Sequence, residues 1–131
     1  MPIELKILAF GALLLLVHVF VAVRFKTRQY GTKWNVGARD ETMPPLDPLP
    51  SRLARAQANF QETFPIAIVA LAGVVIADRT SVLTALGGWI WLAARVVYLP
   101  LYAAGIPVVR TIIFMISIVG LVLVLWPLLA G

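Results

Sequence analysis

Apolar positions along the chain gather into four long blocks, each near the length that carries a helix across a bilayer, about 20 residues at 1.5 Å rise. Ile7 to Val23 is apolar except for His18, which predicts a first span over residues 3–23. No small-residue cleavage site follows it. Arg24, Lys26 and Arg28 do, so the segment reads as a retained helix and not a signal peptide. A second span is predicted over 51–77, with Ser51 placed to cap it. Its first half carries Arg52, Arg55, Asn59 and Glu62; its second half is apolar. Residues 78–81 form a polar turn. A third span, 82–104, carries Arg95, Tyr98 and Tyr102 in its second half. Gly105 and Pro107 break it. The fourth, 108–129, is apolar beyond Arg110 apart from Thr111 and Ser117.

Between the first two blocks, residues 24–50 are polar, and four of the nine prolines fall between 44 and 50. Proline lacks the N–H that a helix interior needs and restrains the residue before it. This stretch therefore reads as an ordered or semi-rigid connector. Composition strengthens the membrane assignment. The 131 residues are 61% hydrophobic and only 13% charged, with a mean hydropathy of +0.94. A soluble domain this small has too much surface to hide such a chain. The expected fold class is all-α, a single-domain integral membrane four-helix bundle.

Charge sets the orientation. Arg24, Lys26, Arg28, Lys33 and Arg39 lie in the long loop, with Arg52 just beyond, against Lys6 near the amino end and Arg79 in the second turn. Positive residues in short loops mark the cytoplasmic side. Loop 24–50 is then cytoplasmic, and both termini lie opposite. The net charge of +5 is accounted for by topology and anionic lipid, and no basic run with interleaved aromatics suggests nucleic acid. With no cysteine and a single histidine, no metal site is expected.

This orientation gathers the intramembrane polar residues into one cytoplasmic layer. Arg55, Asn59 and Glu62 share one helical face, at spacing i, i+4, i+7; Arg95, Tyr98 and Tyr102 share another, at i, i+3, i+7. Arg110 enters span four from the same side. Ionisable groups cost about 2.5–3.5 kcal/mol each at the bilayer centre, so they face a bundle interior or a wet cavity. Glu62 pairing with Arg95 or Arg55 as a structural link accounts for one arginine, not three. Surplus buried cation suits an anionic ligand, and arginine grips carboxylates with a two-pronged fork. Pro65 and Pro100 lie inside spans and release the carbonyls of Gln61 and Val96. His18, alone on an apolar helix, is expected to be a neutral, hydrogen-bonded structural residue. Trp34, Trp89, Trp91 and Trp126 are expected at the interface or in packing, and Gly87 with Gly88 permits close helix approach.

The run from Arg52 through Arg55, Asn59 and Glu62 to Pro65 resembles the second-helix signature of the MAPEG family, the membrane-associated proteins in eicosanoid and glutathione metabolism. Its pattern is Arg, three residues, Asn, two residues, Glu and a nearby Pro. Arg95, Tyr98 and Tyr102 resemble the family's third-helix segment. The resemblance implies a homotrimer with glutathione bound between subunits near the cytoplasmic face. Arg55, Asn59, Glu62, Arg95, Tyr98 and Tyr102 then take the places of glutathione contacts, with Arg52 beside them. It further implies thiolate activation by an arginine and attack on a lipophilic substrate from the bilayer. Arg110 occupies the matching position. Its spacing from Tyr102 departs from the family's, which keeps Arg24 and Arg28 as alternatives. The long loop resembles the bacterial branch, which implies a bacterial inner membrane.

Three functions compete. The first is a glutathione transferase or peroxidase. The second is a non-catalytic member that binds lipid or a partner protein, a type the family contains. The third is a four-helix drug transporter, which needs a membrane carboxylate as proton carrier in its first span; that span is read as having none. Three copies are expected to bury Arg95 and Glu62 against neighbouring subunits, because a lone bundle offers little interior for so many charges.

Overall fold

The computed structural model describes residues 1–130, which form five helices and no strand. They are α1 (Ile3–Tyr30), α2 (Thr32–Val36), α3 (Pro48–Ile76), α4 (Val82–Ala103) and α5 (Pro107–Ala130). All but α2 are long and apolar enough to cross a membrane.

Helix ends follow local chemistry. α1 runs to Tyr30 and not to Val23, because nothing in residues 24–30 breaks a helix: Arg24, Lys26, Arg28 and Gln29 are good helix formers. It stops at Gly31, whose φ of 97° suits glycine and whose N–H returns to the Thr27 carbonyl. Gln29 then ties down the proline-rich stretch. Its Nε2 donates to the Pro45 carbonyl at 3.0 Å and its Oε1 accepts from the Asp47 N–H at 2.7 Å. Tyr30 adds a hydrogen bond to the Pro44 carbonyl. α3 starts at Pro48, earlier than the expected Ser51 cap, since proline is at home in a first turn where no N–H is required. Ser51 caps nothing there. Ser81 does cap α4: its side chain accepts from the Thr84 N–H while the Thr84 hydroxyl accepts from the Ser81 N–H.

α3 and α4 are the central pair. α1 and α5 each pack against both and do not meet one another. The core is built from Ile7, Phe60, Leu71, Trp91, Leu121 and Val124, all at most 1% exposed. In lipid, helices associate through close packing more than through hydrophobic exclusion, which favours small residues at crossings. Gly87 and Gly120 mark such a crossing between α4 and α5: a Cβ on either would sit 2.6 Å from the other's carbonyl oxygen. Phe20, Val69, Leu86, Val119 and Trp126 point outward and are mostly exposed, as surfaces solvated by acyl chains require.

One expectation for the first span fails. Glu4 belongs to α1 and is 2% exposed, accepting a hydrogen bond from Thr84 at 3.0 Å. Glu4 lies within the predicted bounds of 3–23 but ahead of the apolar block from Ile7 to Val23 that defined the span. The span does carry a carboxylate, at the end of the bundle far from the 24–50 loop.

Candidate functional site

The turn between α4 and α5 creates the site. Gly105 takes a φ of 74°, a backbone state open to glycine, and Pro107 starts α5 at once. The Arg52 Nε donates to the Ala103 carbonyl at 2.9 Å, one of the last carbonyls of α4 and therefore lacking a helical partner. Its guanidinium lies 3.4 Å from where a Gly105 Cβ would stand. α3 is thereby tied to the C-terminal end of α4.

Beside this tie lies a cleft of about 140 Å³ lined by Arg52, Arg55, Tyr102, Gly105, Pro107 and Arg110. Three arginines from two helices face it, and no carboxylate is among its lining residues. The Arg110 guanidinium lies 4.6 Å from the Tyr102 ring centre and that of Arg55 lies 5.9 Å from it, so the phenol ring is contacted by two cations. Among these walls, the permanent charge of the arginines and the Tyr102 hydroxyl can bind an anion or stabilise a developing one.

Other sequence-selected residues take different places. Asn59, one helical turn beyond Arg55, is half-buried, and its Oδ1 accepts from Arg95 Nη1 at 2.8 Å. Glu62 stands further along α3, exposed on the surface of the chain. Arg95 corrects the expectation that it needs a neighbouring subunit for burial: it is 0% exposed within the single chain. It fits because aromatic rings replace a counterion there. Its guanidinium lies 4.3 Å from the Tyr98 ring centre, 5.0 Å from Phe60 and 5.7 Å from Phe114. Tyr98, 2% exposed, packs edge-on against Tyr102 and lies behind the cleft, not in it.

Arg24 is exposed near the end of α1, and Arg28 lines a separate groove of about 330 Å³ with Phe25, Gln29, Asp47, Leu49 and Pro50. Neither arginine borders the arginine-lined cleft. His18 is buried and stacked on Phe60 at 5.0 Å, with no hydrogen-bond partner at either nitrogen among the described residues, unlike the bonded residue expected from sequence. Phe60 and Phe114, which complete the cage around Arg95, carried no sequence signal that separates them from ordinary apolar residues of a span.

The architecture, four long apolar helices with three arginines converging at one end, meets its family here: the sequence profile of the MAPEG family matches residues 7–130. The chain belongs to the MAPEG family. Comparison with curated proteins and with solved structures finds no match. The MAPEG family includes glutathione transferases and related proteins. As a MAPEG protein with four membrane-spanning helices, the chain works in lipid, and the cleft sits at the bundle end that carries the 24–50 loop.

Proposed function

We propose that this protein binds glutathione at the arginine-lined cleft and acts as a transferase, joining the whole tripeptide through its sulfur to lipophilic electrophiles, or as a peroxidase, oxidising two glutathione thiols to the disulfide as a lipid hydroperoxide is reduced to alcohol and water. The observation that carries this reading is three arginines converging on one cleft that has no carboxylate in its lining. Glutathione brings two carboxylates and one ammonium. Arg52 and Arg55 suit the carboxylates, and the exposed carboxylate of Glu62 on the same helix suits the ammonium.

Ligand pockets usually span about 300–1,000 Å³, and the cleft of one protomer holds about 140 Å³. A second copy of the chain would supply the missing wall. The proposed assembly is a homotrimer, with Glu62 at the contact between subunits. The basic residues of the 24–50 loop support a cytoplasmic position for the cleft, in a bacterial inner membrane.

Chemistry then rests on Arg110. A thiol titrates near 8.5, and an adjacent guanidinium favours its thiolate. The thiol proton passes to water. The sulfur attacks an electrophilic carbon, a carbon–sulfur bond forms, and for a halogenated aromatic the halide leaves with its bonding pair. Exposed apolar residues around the bundle leave a route for substrates dissolved in the bilayer.

Calorimetry of glutathione binding to the purified protein, followed by turnover with a halogenated dinitrobenzene, tests this. Micromolar to millimolar binding with conjugate formation is expected. Binding without turnover assigns the protein to the non-catalytic, lipid- or partner-binding type. No binding removes the glutathione reading.

A further inference from the structure

Arg95 and Asn59 stand in a relationship that neither residue's sequence pattern reveals. Arg95 cannot reach a ligand from its place in the protomer: it is 0% exposed and enclosed by Phe60, Tyr98 and Phe114. Its sole hydrogen bond to another side chain among the described residues runs to Asn59 Oδ1, at 2.8 Å. Arginine has five N–H donors and no acceptor. The atom of Asn59 that faces it must therefore be the carbonyl oxygen, whichever way an amide could otherwise be turned. With Oδ1 turned inward to Arg95, the Nδ2 amino group is the Asn59 donor that has no protein partner among the described residues. Asn59 is half-buried, on the α3 face that also carries Arg55 and Glu62.

We propose that Arg95 is a positioning residue that acts through Asn59, turning its carboxamide so that position 59 presents only a donor to the ligand. This rests on the glutathione reading above and refines it. Left free, an asparagine can rotate its amide and either donate or accept, so it selects poorly between a carboxylate and an ammonium. Held by Arg95, it selects for a carboxylate or a peptide carbonyl. Glu62, one turn further along, offers only acceptors when ionised. Consecutive turns of α3 then read a zwitterionic ligand in order: cation at Arg55, neutral donor at Asn59, anion at Glu62. Among the described residues Nε and Nη2 of Arg95 have no partner and its charge has no acidic one, which holds a positive potential behind the amide and strengthens its donor end.

The test joins a thermodynamic cycle to a stability measurement, both on the full-length protein in detergent, with size-exclusion chromatography confirming an unchanged oligomer. Arg95→Met, which keeps an unbranched stem and removes every donor that holds Asn59 Oδ1, is expected in the wild-type background to weaken glutathione binding about tenfold, the worth of one misdirected donor to a charged acceptor. In an Asn59→Ala background the same substitution is expected to change affinity by less than about twofold, because the residue through which Arg95 acts is gone. Equal losses in both backgrounds would mean that Arg95 meets the ligand directly, and would overturn the proposal. Asn59→Asp reads the pair without any ligand. A carboxylate placed beside the enclosed guanidinium should raise the melting temperature, while turning an acceptor toward the ligand and weakening glutathione by more than about tenfold. A lowered melting temperature would show that Arg95 and Asn59 are not paired. Failure of the wild-type protein to bind glutathione overturns the ligand reading; the melting temperature of Asn59→Asp then still decides the pair.

Discussion

Thr84 donates its hydroxyl to the Glu4 carboxylate at 3.0 Å, joining α4 to the start of α1 at the end of the bundle opposite the arginine-lined cleft. Thr84 is 0% exposed, and the same hydroxyl closes the capping box with Ser81. Thr84→Val keeps the shape and removes both interactions. It is expected to destabilise the protein by about 1–3 kcal/mol, since a buried carboxylate loses its donor. Thermal unfolding in detergent should show the loss with glutathione affinity unchanged. Equal stability would mean that Glu4 finds another partner.

Close helix packing gives a second prediction. Gly87→Ala places a methyl 2.6 Å from the Gly120 carbonyl, where backbone would have to move. Gly88→Ala instead meets the ends of the Ile7 and Leu71 side chains, at 2.9 and 3.1 Å, which can turn aside. Overpacking costs about 1–3 kcal/mol, and Gly87→Ala is expected at or above the top of that range with Gly88→Ala near the bottom. Melting temperatures of the two variants decide this, and the reverse order would place the α4–α5 crossing elsewhere.

Glu62→Gln and Arg55→Ala bear on the ligand. Both residues are exposed on the single chain, so neither substitution should disturb its core. Each removes one charge-assisted contact to the proposed glutathione, and affinity is expected to fall about tenfold or more. Titration calorimetry on protein of verified oligomeric state measures it. Unchanged affinity in an intact oligomer would remove these residues from the site.

Thiolate chemistry separates Arg110 from Tyr102, whose ring lies 4.6 Å from the Arg110 guanidinium. A permanent cation shifts a neighbouring thiol more than a neutral phenol does. Arg110→Ala is expected to raise the apparent pKa of bound glutathione by about one unit or more, and Tyr102→Phe to raise it less. The sign gives the pH effect: the variant needs a higher pH to reach the same thiolate fraction. Ultraviolet absorbance of the thiolate against pH follows both. A larger shift in Tyr102→Phe would reassign the role.

His18 supplies the last prediction. Both of its nitrogens are buried without a partner among the described residues, and its ring stacks on Phe60. His18→Phe keeps the stacking and removes two polar atoms that the interior does not satisfy, so it is expected to raise the melting temperature, by an amount on the order of 1–3 kcal/mol of stability. A drop would show that His18 makes a polar contact the protein depends on.

The sequence by itself determined the helices and the end of the bundle that carries charge. Length and apolarity decide membrane insertion span by span, with no reference to neighbours, so the four blocks around Leu14, Ala70, Trp91 and Val119 were legible. The layer shared by Arg52, Arg55, Tyr102 and Arg110 followed from alternating helix direction alone. Tertiary structure decided which polar residues reach the cleft. Periodicity puts Arg95 and Tyr102 on one face of α4, yet Arg95 lies behind a cage of Phe60, Tyr98 and Phe114 while Tyr102 lines the cleft. Two of those rings come from other helices, and a helical wheel of α4 contains no information about them. Glu4 shows the same limit from the other direction. A carboxylate near a helix start reads as solvated, and it is buried here only because the start of α4, with Thr84 facing it, closes over that end of α1.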